Sequence, residues 1–183
     1  GHRRLPLHPR LGHMALRAGS LGQTGPALSD VAELCAALEG DRDVVRGAGG
    51  RPAGPESADL RVRLRALQGE PPASKSLEIV PSRRAEALRS ASELRRRLPG
   101  TAGSLPVVDP GPLLALAYPE RVARRGGGGE YVLRDGTSCK VKDPELQKEP
   151  FLAVARLQKS VVVLATPLKA ADAAAAMVQR EVV

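Results

Sequence analysis

The change from helices to strands in this chain falls at residues 111–125, which have the sequence GPLLALAYPERVARR. The apolar run at its start is interrupted by the Tyr118-Pro119 step, and three arginines follow it. Because proline disfavours helix at the preceding residue, we expect one or two helical turns before Pro119 and one more after it. Helical periodicity comes before this stretch and short strand patterns come after it, so the stretch marks a domain boundary.

The sequence before this boundary predicts a helical bundle. Asp30 and Glu33 have the spacing of a capping box. Leu60 and Leu64 fit either a strand alternation or a helical stripe, and the helix formers that follow them favour a helix. The predicted helices run from Pro9 to about residue 18 and over 27–39, 57–67 and 82–98, the Gly- and Pro-rich tracts 47–55 and 69–81 are predicted loops, and 99–111 is a predicted linker.

The sequence after the boundary contains one hairpin signal. Asp135-Gly136 is a favoured pair for a two-residue type I′ turn. Such a turn would place Val132 and Cys139 on one face of the hairpin and Lys140 and Lys142 on the other.

Two more strands and a helix complete the predicted fold. Four short strands after a helix indicate a small, partly open barrel of the OB type. The fold class is therefore α+β. The predicted parts are a ratchet-like helical region at 1–98, the linker at 99–111, an OB-like β domain at 112–168 with strands at 151–157 and 161–165, and a C-terminal helix at 169–183 that leads towards a further domain.

The composition points to a binding protein. The net charge is +8, which favours attraction to a polyanion such as nucleic acid, although a basic solvated surface explains it equally well. The chain has two Tyr, one Phe and no Trp, so binding to single strands would depend on phosphates more than on base stacking. Cys35 and Cys139 are far apart and suit a reducing compartment, so we expect a cytoplasmic or organellar protein that is not secreted.

No catalytic or metal-binding pattern is present in the sequence. No nucleophile elbow, HExxH motif or phosphate loop occurs. His8 and His13 are five residues apart, which is a poor spacing for one helical face. Gly126–Gly129 precede a strand, so a flexible connector is the favoured interpretation of these four glycines. We predict no catalytic residue, no cofactor site, no metal site and no contact with a membrane.

The candidate nucleic-acid-binding residues are basic side chains around the predicted barrel and on one helix. Three arginines precede the predicted barrel, and three basic residues lie on its hairpin. Arg89 and Arg96 lie opposite the apolar side of the 82–98 helix, where they either contact phosphates or face solvent. The predicted barrel contacts are Arg121, Arg124, Arg125, Arg134, Lys140 and Lys142.

Four segments in the same order resemble the HrpB-type DEAH-box ATP-dependent RNA helicases. In chain order these segments are 5–18, 31–46, 59–64 and 113–125, and from the last of them the likeness continues to Leu168. The chain departs from the family pattern at 135–139, which weakens any transfer of hairpin contacts.

The resemblance implies the accessory C-terminal part of such a helicase. In this family two motor lobes, which bind ATP and Mg²⁺, precede a winged helix, a ratchet bundle and an OB-like domain. The resemblance places this chain in the ratchet and OB-like parts, whose partners would be single-stranded RNA and the motor lobes. The alternatives are a module in which the OB-like part docks a protein partner, and a truncated gene product without activity.

Overall fold

The computed structural model describes residues 7–181, and the side chains of the last helix through Met177. Its contacts divide the chain into two compact units. The helical unit comprises the residues up to Arg51 together with Val62–Asp109, and the barrel unit comprises Pro52–Arg61 together with the residues from Pro110 onward. The predicted α+β class is confirmed. Segment 52–61, which the sequence groups with the helical region, packs with the barrel.

Within the described residues, the helices follow the predicted ones in number and order, but two begin later than predicted. The 57–67 segment is helical only from Leu60, and the predicted 27–39 helix begins at Val31, after a short strand at Ser29–Asp30. The helices are α1 (Pro9–Arg17), α2 (Val31–Glu39), α3 (Leu60–Leu67), α4 (Pro81–Arg97), α5 (Gly111–Ala117) and α6 (Ala170–Glu181).

Helix α2 begins where its capping box places it. The Asp30 carboxylate accepts the Glu33 N–H at 2.8 Å, and the Glu33 carboxylate accepts the Asp30 N–H at 2.9 Å. These two bonds satisfy N–H groups that the first turn leaves without helical partners. The second Asp30 oxygen accepts a bond from Arg95 Nε at 2.8 Å, which ties α4 to the start of α2.

Two small antiparallel ribbons join the helices of the helical unit. Strands β1 (Ser29–Asp30) and β4 (Pro106–Val107) form one ribbon, and strands β2 (Val45–Gly47) and β3 (Leu77–Ile79) form the other. Three of these strands fall in or beside tracts that the sequence predicts as loops or linkers. Strands of two or three residues contain too few positions to produce an alternating pattern.

Several arginines of the helical unit take part in its internal hydrogen bonding. Arg63 is buried and makes two bonds to Asp43, from Nε at 3.2 Å and from Nη2 at 2.9 Å. Arg84 donates to the carbonyls of Ala66 and Leu67 at 2.9 and 2.8 Å. Those carbonyls lie at the end of α3, where a helix lacks internal donors, so Arg84 caps that helix.

The barrel unit contains a closed five-stranded barrel. The strands are β5 (Val122–Arg125), β6 (Glu130–Leu133), β7 (Ser138–Lys140), β8 (Phe151–Gln158) and β9 (Val161–Pro167), and their order around the barrel is β5-β6-β7-β9-β8. Neighbouring strands are antiparallel except for β7 and β9, which are parallel. The sequence predicts four strands and misses β5, whose only apolar residues are Val122 and Ala123.

The β6–β7 hairpin has a different register from the predicted one. Val132 lies opposite Ser138, and Tyr131 lies opposite Cys139. The connection is therefore a three-residue loop, in which Gly136 has a φ of +90°. This combination is typical of a type I turn followed by a glycine bulge. The predicted two-residue turn is wrong, and the fully buried Tyr131 replaces Val132 as the partner of Cys139.

The segment before α3 is attached to the barrel by a buried carboxylate. Asp143 accepts the Ala58 N–H at 3.0 Å and the Glu145 N–H at 2.9 Å. The Ala58 carbonyl accepts the Ala165 N–H at 2.9 Å, so the segment also bonds to β9. Burial raises the pKa of Asp143, and three backbone N–H donors, those of Glu145, Ala58 and Leu146, oppose that rise.

Helices α5 and α6 pack on the outside of the barrel. They form an apolar cluster with the outward side of the strands, made of Ala115, Val122, Leu168, Ala173 and Ala176, with Phe151 half-buried against it. In the described part of the chain, no helix has the length and apolar character that crossing a membrane requires.

Candidate functional site

Three exposed lysines lie around one end of strand β7. The Lys140 N–H donates to the Ser160 carbonyl at 2.8 Å, and the Val141 N–H donates to the Gly129 carbonyl at 2.9 Å. The end of β7 is therefore bonded to two loops of the barrel, the β5–β6 loop at Gly126–Gly129 and the β8–β9 turn. Lys140, Lys142 and Lys159 are exposed there, and we call these three residues the basic rim.

The β8–β9 turn holds Lys159 in an unusual backbone conformation. Gln158 lies opposite Val161, so Lys159 and Ser160 form a two-residue connection. Their φ values are +48° and +63°, as a type I′ turn requires. Neither residue is Gly or Asn, and left-handed backbone costs about 1–2 kcal/mol in other residues. Such strain is concentrated at functional positions.

The charge around the rim is predominantly positive. Glu130, which is exposed, lies directly opposite Lys140 on β6. Arg124 is exposed on β5, where its Cα partners are Val132 of β6 and Phe151 of β8. The outer surface of β5–β7 therefore carries several cations at or near the rim. Glu130 is the carboxylate that directly faces one of them, Lys140.

Three of the predicted barrel arginines make hydrogen bonds to backbone carbonyls of the barrel unit. Arg121 donates to Ala155 at 2.8 Å, and its guanidinium carbon lies 5.0 Å from the centre of the Tyr118 ring. Arg125 donates to Lys148 at 3.0 Å, and Arg134 donates to Met177 at 3.0 Å. A guanidinium has five N–H donors, so these bonds leave donors for other contacts while fixing where the side chains lie.

The aromatic rings of the barrel unit are not arranged for stacking on bases. Tyr131 is fully buried, and its hydroxyl donates to the carbonyls of Leu146 at 2.9 Å and Glu149 at 2.5 Å. Burial raises its pKa, and the nearby Arg125 opposes that rise. Tyr118 and Phe151 are half-buried. Any nucleic-acid contact of this surface must therefore rely on phosphates.

The predicted residues on α4 are exposed, as their helical spacing requires. Arg89 and Arg96 both face solvent. Their neighbours Arg84 and Arg95 bond within the helical unit, to carbonyls of α3 and to Asp30. Helix α4 therefore divides its arginines between internal contacts and an exposed basic face.

The buried polar groups do not form a reactive centre. Burial raises the pKa of Cys35 to about 12 and that of Cys139 to about 11, which makes both thiols poor nucleophiles. Among the residues that the structure describes, no group of three or more His, Cys, Asp or Glu side chains could hold a metal ion.

Comparison with solved structures relates this fold to part of a bacterial protein. No protein-family model and no curated protein matches the sequence. The structure of the Escherichia coli DExH-box NTPase HrpB matches 94% of this chain with a TM-score of 0.53 and 20% identity. The chain has the fold of one part of HrpB. A second structure, of the E. coli DEAH/RHA helicase HrpB, matches 89% of the chain with a TM-score of 0.52 and 19% identity.

The match covers a small part of HrpB. This chain spans 18% of the HrpB chain in both structures. The resemblance found in the sequence is thus confirmed at the level of the fold. Leu5 and Pro6, which begin the first resembling segment, lie outside the described residues.

The sequence predicts two of the three rim lysines, Lys140 and Lys142, as binding residues. Lys159 lies between the strands predicted at 151–157 and 161–165, in a stretch that the sequence indicates only as a tight link. The predicted strands leave three residues between them, and only the pairing of Gln158 with Val161 reduces the link to Lys159 and Ser160. Lys-Ser is an unfavourable pair for a type I′ turn, so the local sequence does not indicate this turn. The glycine loop was interpreted as a connector, although the structure bonds it to the same strand end.

Proposed function

We propose that this chain is the C-terminal accessory part of an HrpB-type DEAH-box RNA helicase, and that its barrel guides single-stranded RNA. The observation that carries the proposal is the basic rim. There the end of β7 bonds to two loops, and this brings Lys140, Lys142 and Lys159 together. The five-stranded barrel supports an OB-like assignment. OB-folds bind oligonucleotides on their second and third strands and on the loops that join strands 1–2 and 4–5. In this barrel those elements are β6, β7, Gly126–Gly129 and the 159–160 turn.

The motor of such a helicase would be supplied by other lobes, which hold ATP and Mg²⁺. The exposed face of α4, with Arg89 and Arg96, is a second surface that the RNA would contact. Arg124 extends the barrel surface, and Arg121, Arg125 and Arg134 contribute their remaining donors. We expect the purified chain to show no ATP hydrolysis above a buffer blank.

The test is RNA binding measured by fluorescence anisotropy on the whole chain, with a labelled oligouridylate of about twelve nucleotides. Affinity should fall steeply between about 50 and 200 mM salt, because phosphate contacts release counterions. A variant with Lys140, Lys142 and Lys159 changed to Ala should bind more weakly. The slope of log affinity against log salt should fall in magnitude by about 2, which is about 0.7 for each of the three lost phosphate contacts.

The control replaces Lys75 and Lys169, two exposed lysines outside the rim, with Ala. Equal losses per lysine removed in the two variants would show that only net charge matters. If RNA affinity fell only in an Arg89→Ala/Arg96→Ala variant, the binding surface would be α4 and not the barrel. Absence of binding at low salt would overturn the proposal, and it would leave the protein-docking alternative as the next one to test.

A further inference from the structure

The β5–β6 loop is built from glycines with two different environments. A Cβ on Gly126 would lie 3.3 Å from the Glu130 carbonyl oxygen. A Cβ on Gly129 would lie 3.1 Å from Gln147 Nε2 and 3.2 Å from the Val141 carbonyl oxygen. Gly127 and Gly128, by contrast, have no atom within 4 Å of an added Cβ. The ends of the loop are therefore fixed by close packing, and its tip is open.

The tip presents several backbone donors. Gly126 donates its N–H to Glu130 at 2.8 Å, and Glu130 donates back to Gly127 at 3.1 Å. Within residues 7–181, the N–H groups of Gly127, Gly128 and Gly129 bond to no protein acceptor. Gly128 and Gly129 have φ values of +60° and +81°. Consecutive N–H groups on such turns form a concave surface that favours anions.

Positive side chains lie close to these donors. The bond from Val141 to Gly129 places Lys142 beside the loop, and Gln147 Nε2 holds the Val141 carbonyl at 2.8 Å. Arg124 is two residues before the loop. Glu130 follows the loop directly and faces Lys140. An anion at the tip would therefore be favoured on the Lys142 side.

We infer that Gly127–Gly129 form a phosphodiester subsite, in which backbone N–H groups and Lys142 bind the non-bridging oxygens of one phosphate of a single-stranded polynucleotide. The inference rests on the proposed function, since it assigns the RNA backbone as the ligand of this loop. The inference gives the uncharged N–H groups of the loop a role in binding, and a count of basic side chains would not reveal that role. Glycine suits Gly128 and Gly129 because their positive φ values, which give the tip its shape, are strained in other residues.

The test uses the open position Gly127, where a new side chain meets no neighbour. In the whole chain at low salt, Gly127→Asp should weaken binding of the oligouridylate by about fivefold through charge repulsion. Gly127→Lys should strengthen binding, and Gly127→Ala should change it by less than about twofold. Because the position is open, all three variants should keep the urea midpoint of the barrel unit.

The outcomes separate this inference from the proposed function. RNA binding by the unaltered chain, with equal affinities for Gly127→Asp and Gly127→Ala, would overturn the subsite and leave the proposed function intact. No RNA binding by the unaltered chain would overturn both. An oligomer with neutral methylphosphonate links should not bind. If an oligoglutamate bound as tightly as the RNA, and its affinities for the three Gly127 variants had the same ranking, the phosphodiester assignment would be overturned.

Discussion

The helical unit and the barrel unit both contain many positive side chains but use them differently. In the helical unit Arg63, Arg84 and Arg95 bond to carboxylates or to helix-end carbonyls. In the barrel unit Arg121, Arg125 and Arg134 also bond to backbone carbonyls, but the rim in addition presents exposed lysines. The planar, five-donor guanidinium suits fixed internal contacts, whereas the flexible ammonium of lysine remains hydrated until a ligand arrives. Net charge alone therefore overstates the binding surface, and the two units can be distinguished by experiment.

Each unit contains one buried cysteine, which gives the comparison with the largest expected effect. Cys35 lies in α2 and Cys139 lies in β7, with pKa values raised to about 12 and about 11. At a pH of about 8 the folded thiols should react with a thiol reagent more than about 100-fold more slowly than unfolded ones. Labelling of Cys35→Ala and Cys139→Ala variants at increasing urea should give a separate midpoint for each unit. Coincident midpoints would show that the two units unfold as one.

The ion pair between Arg63 and Asp43 provides the next test, which affects the helical unit alone. Arg63 is 6% exposed and Asp43 is 34% exposed. Asp43→Ala leaves a buried guanidinium without its carboxylate and should lower the free energy of unfolding by about 2–3 kcal/mol. Because both tyrosines belong to the barrel unit, the urea midpoint from circular dichroism should fall while that from tyrosine fluorescence stays unchanged.

An exposed ion pair supplies the control for this loss. Lys148 and Glu145 are 69% and 71% exposed, so Glu145→Ala should change stability by less than about 0.5 kcal/mol. Equal effects of Asp43→Ala and Glu145→Ala would contradict the structural role of the buried arginine.

The helices were predictable because their signals are local. The capping box at Asp30 and the apolar stripe of Leu60, Leu64 and Leu67 each lie within a few turns of chain. The barrel was predictable only in outline. The hairpin register depends on the burial of Tyr131 against Cys139, and the β5 strand forms because it pairs with β6 on one side and with the distant strand β8 on the other. No local pattern contains that information.

The strained turn of the barrel gives a smaller effect of opposite sign. Ser160 has a φ of +63°, which glycine adopts without a steric cost. Ser160→Gly should therefore raise the free energy of unfolding of the barrel unit by about 0.5–1 kcal/mol, measured by tyrosine fluorescence in urea. Gly136→Ala, at a φ of +90°, should lower it by a similar amount. A destabilised Ser160→Gly variant would show that the turn does not need left-handed residues.

The candidate site was partly predictable for a related reason. Lys140 and Lys142 stand out in the sequence because alternation places them on the outer face of a strand. Lys159 and the glycine amides join them only because the Lys140 and Val141 N–H groups at the end of β7 donate to the carbonyls of Ser160 and Gly129. Those bonds follow from the closed barrel, so the complete rim is visible only in the folded structure.

The smallest effect concerns the carboxylate that attaches segment 52–61 to the barrel. Burial raises the pKa of Asp143, so the folded state binds its proton more tightly than the unfolded state does. The stability that this proton contributes is present below the ordinary pKa of an Asp and is lost as the pH rises through the raised value. The difference in unfolding free energy between the unaltered chain and Asp143→Asn should therefore fall as the pH rises from about 3.5 to about 7. Glu145→Gln, at an exposed carboxyl in the same loop, is the control. A difference that rises with pH would show that the backbone N–H donors outweigh burial, and that Asp143 holds the segment best as a charged group.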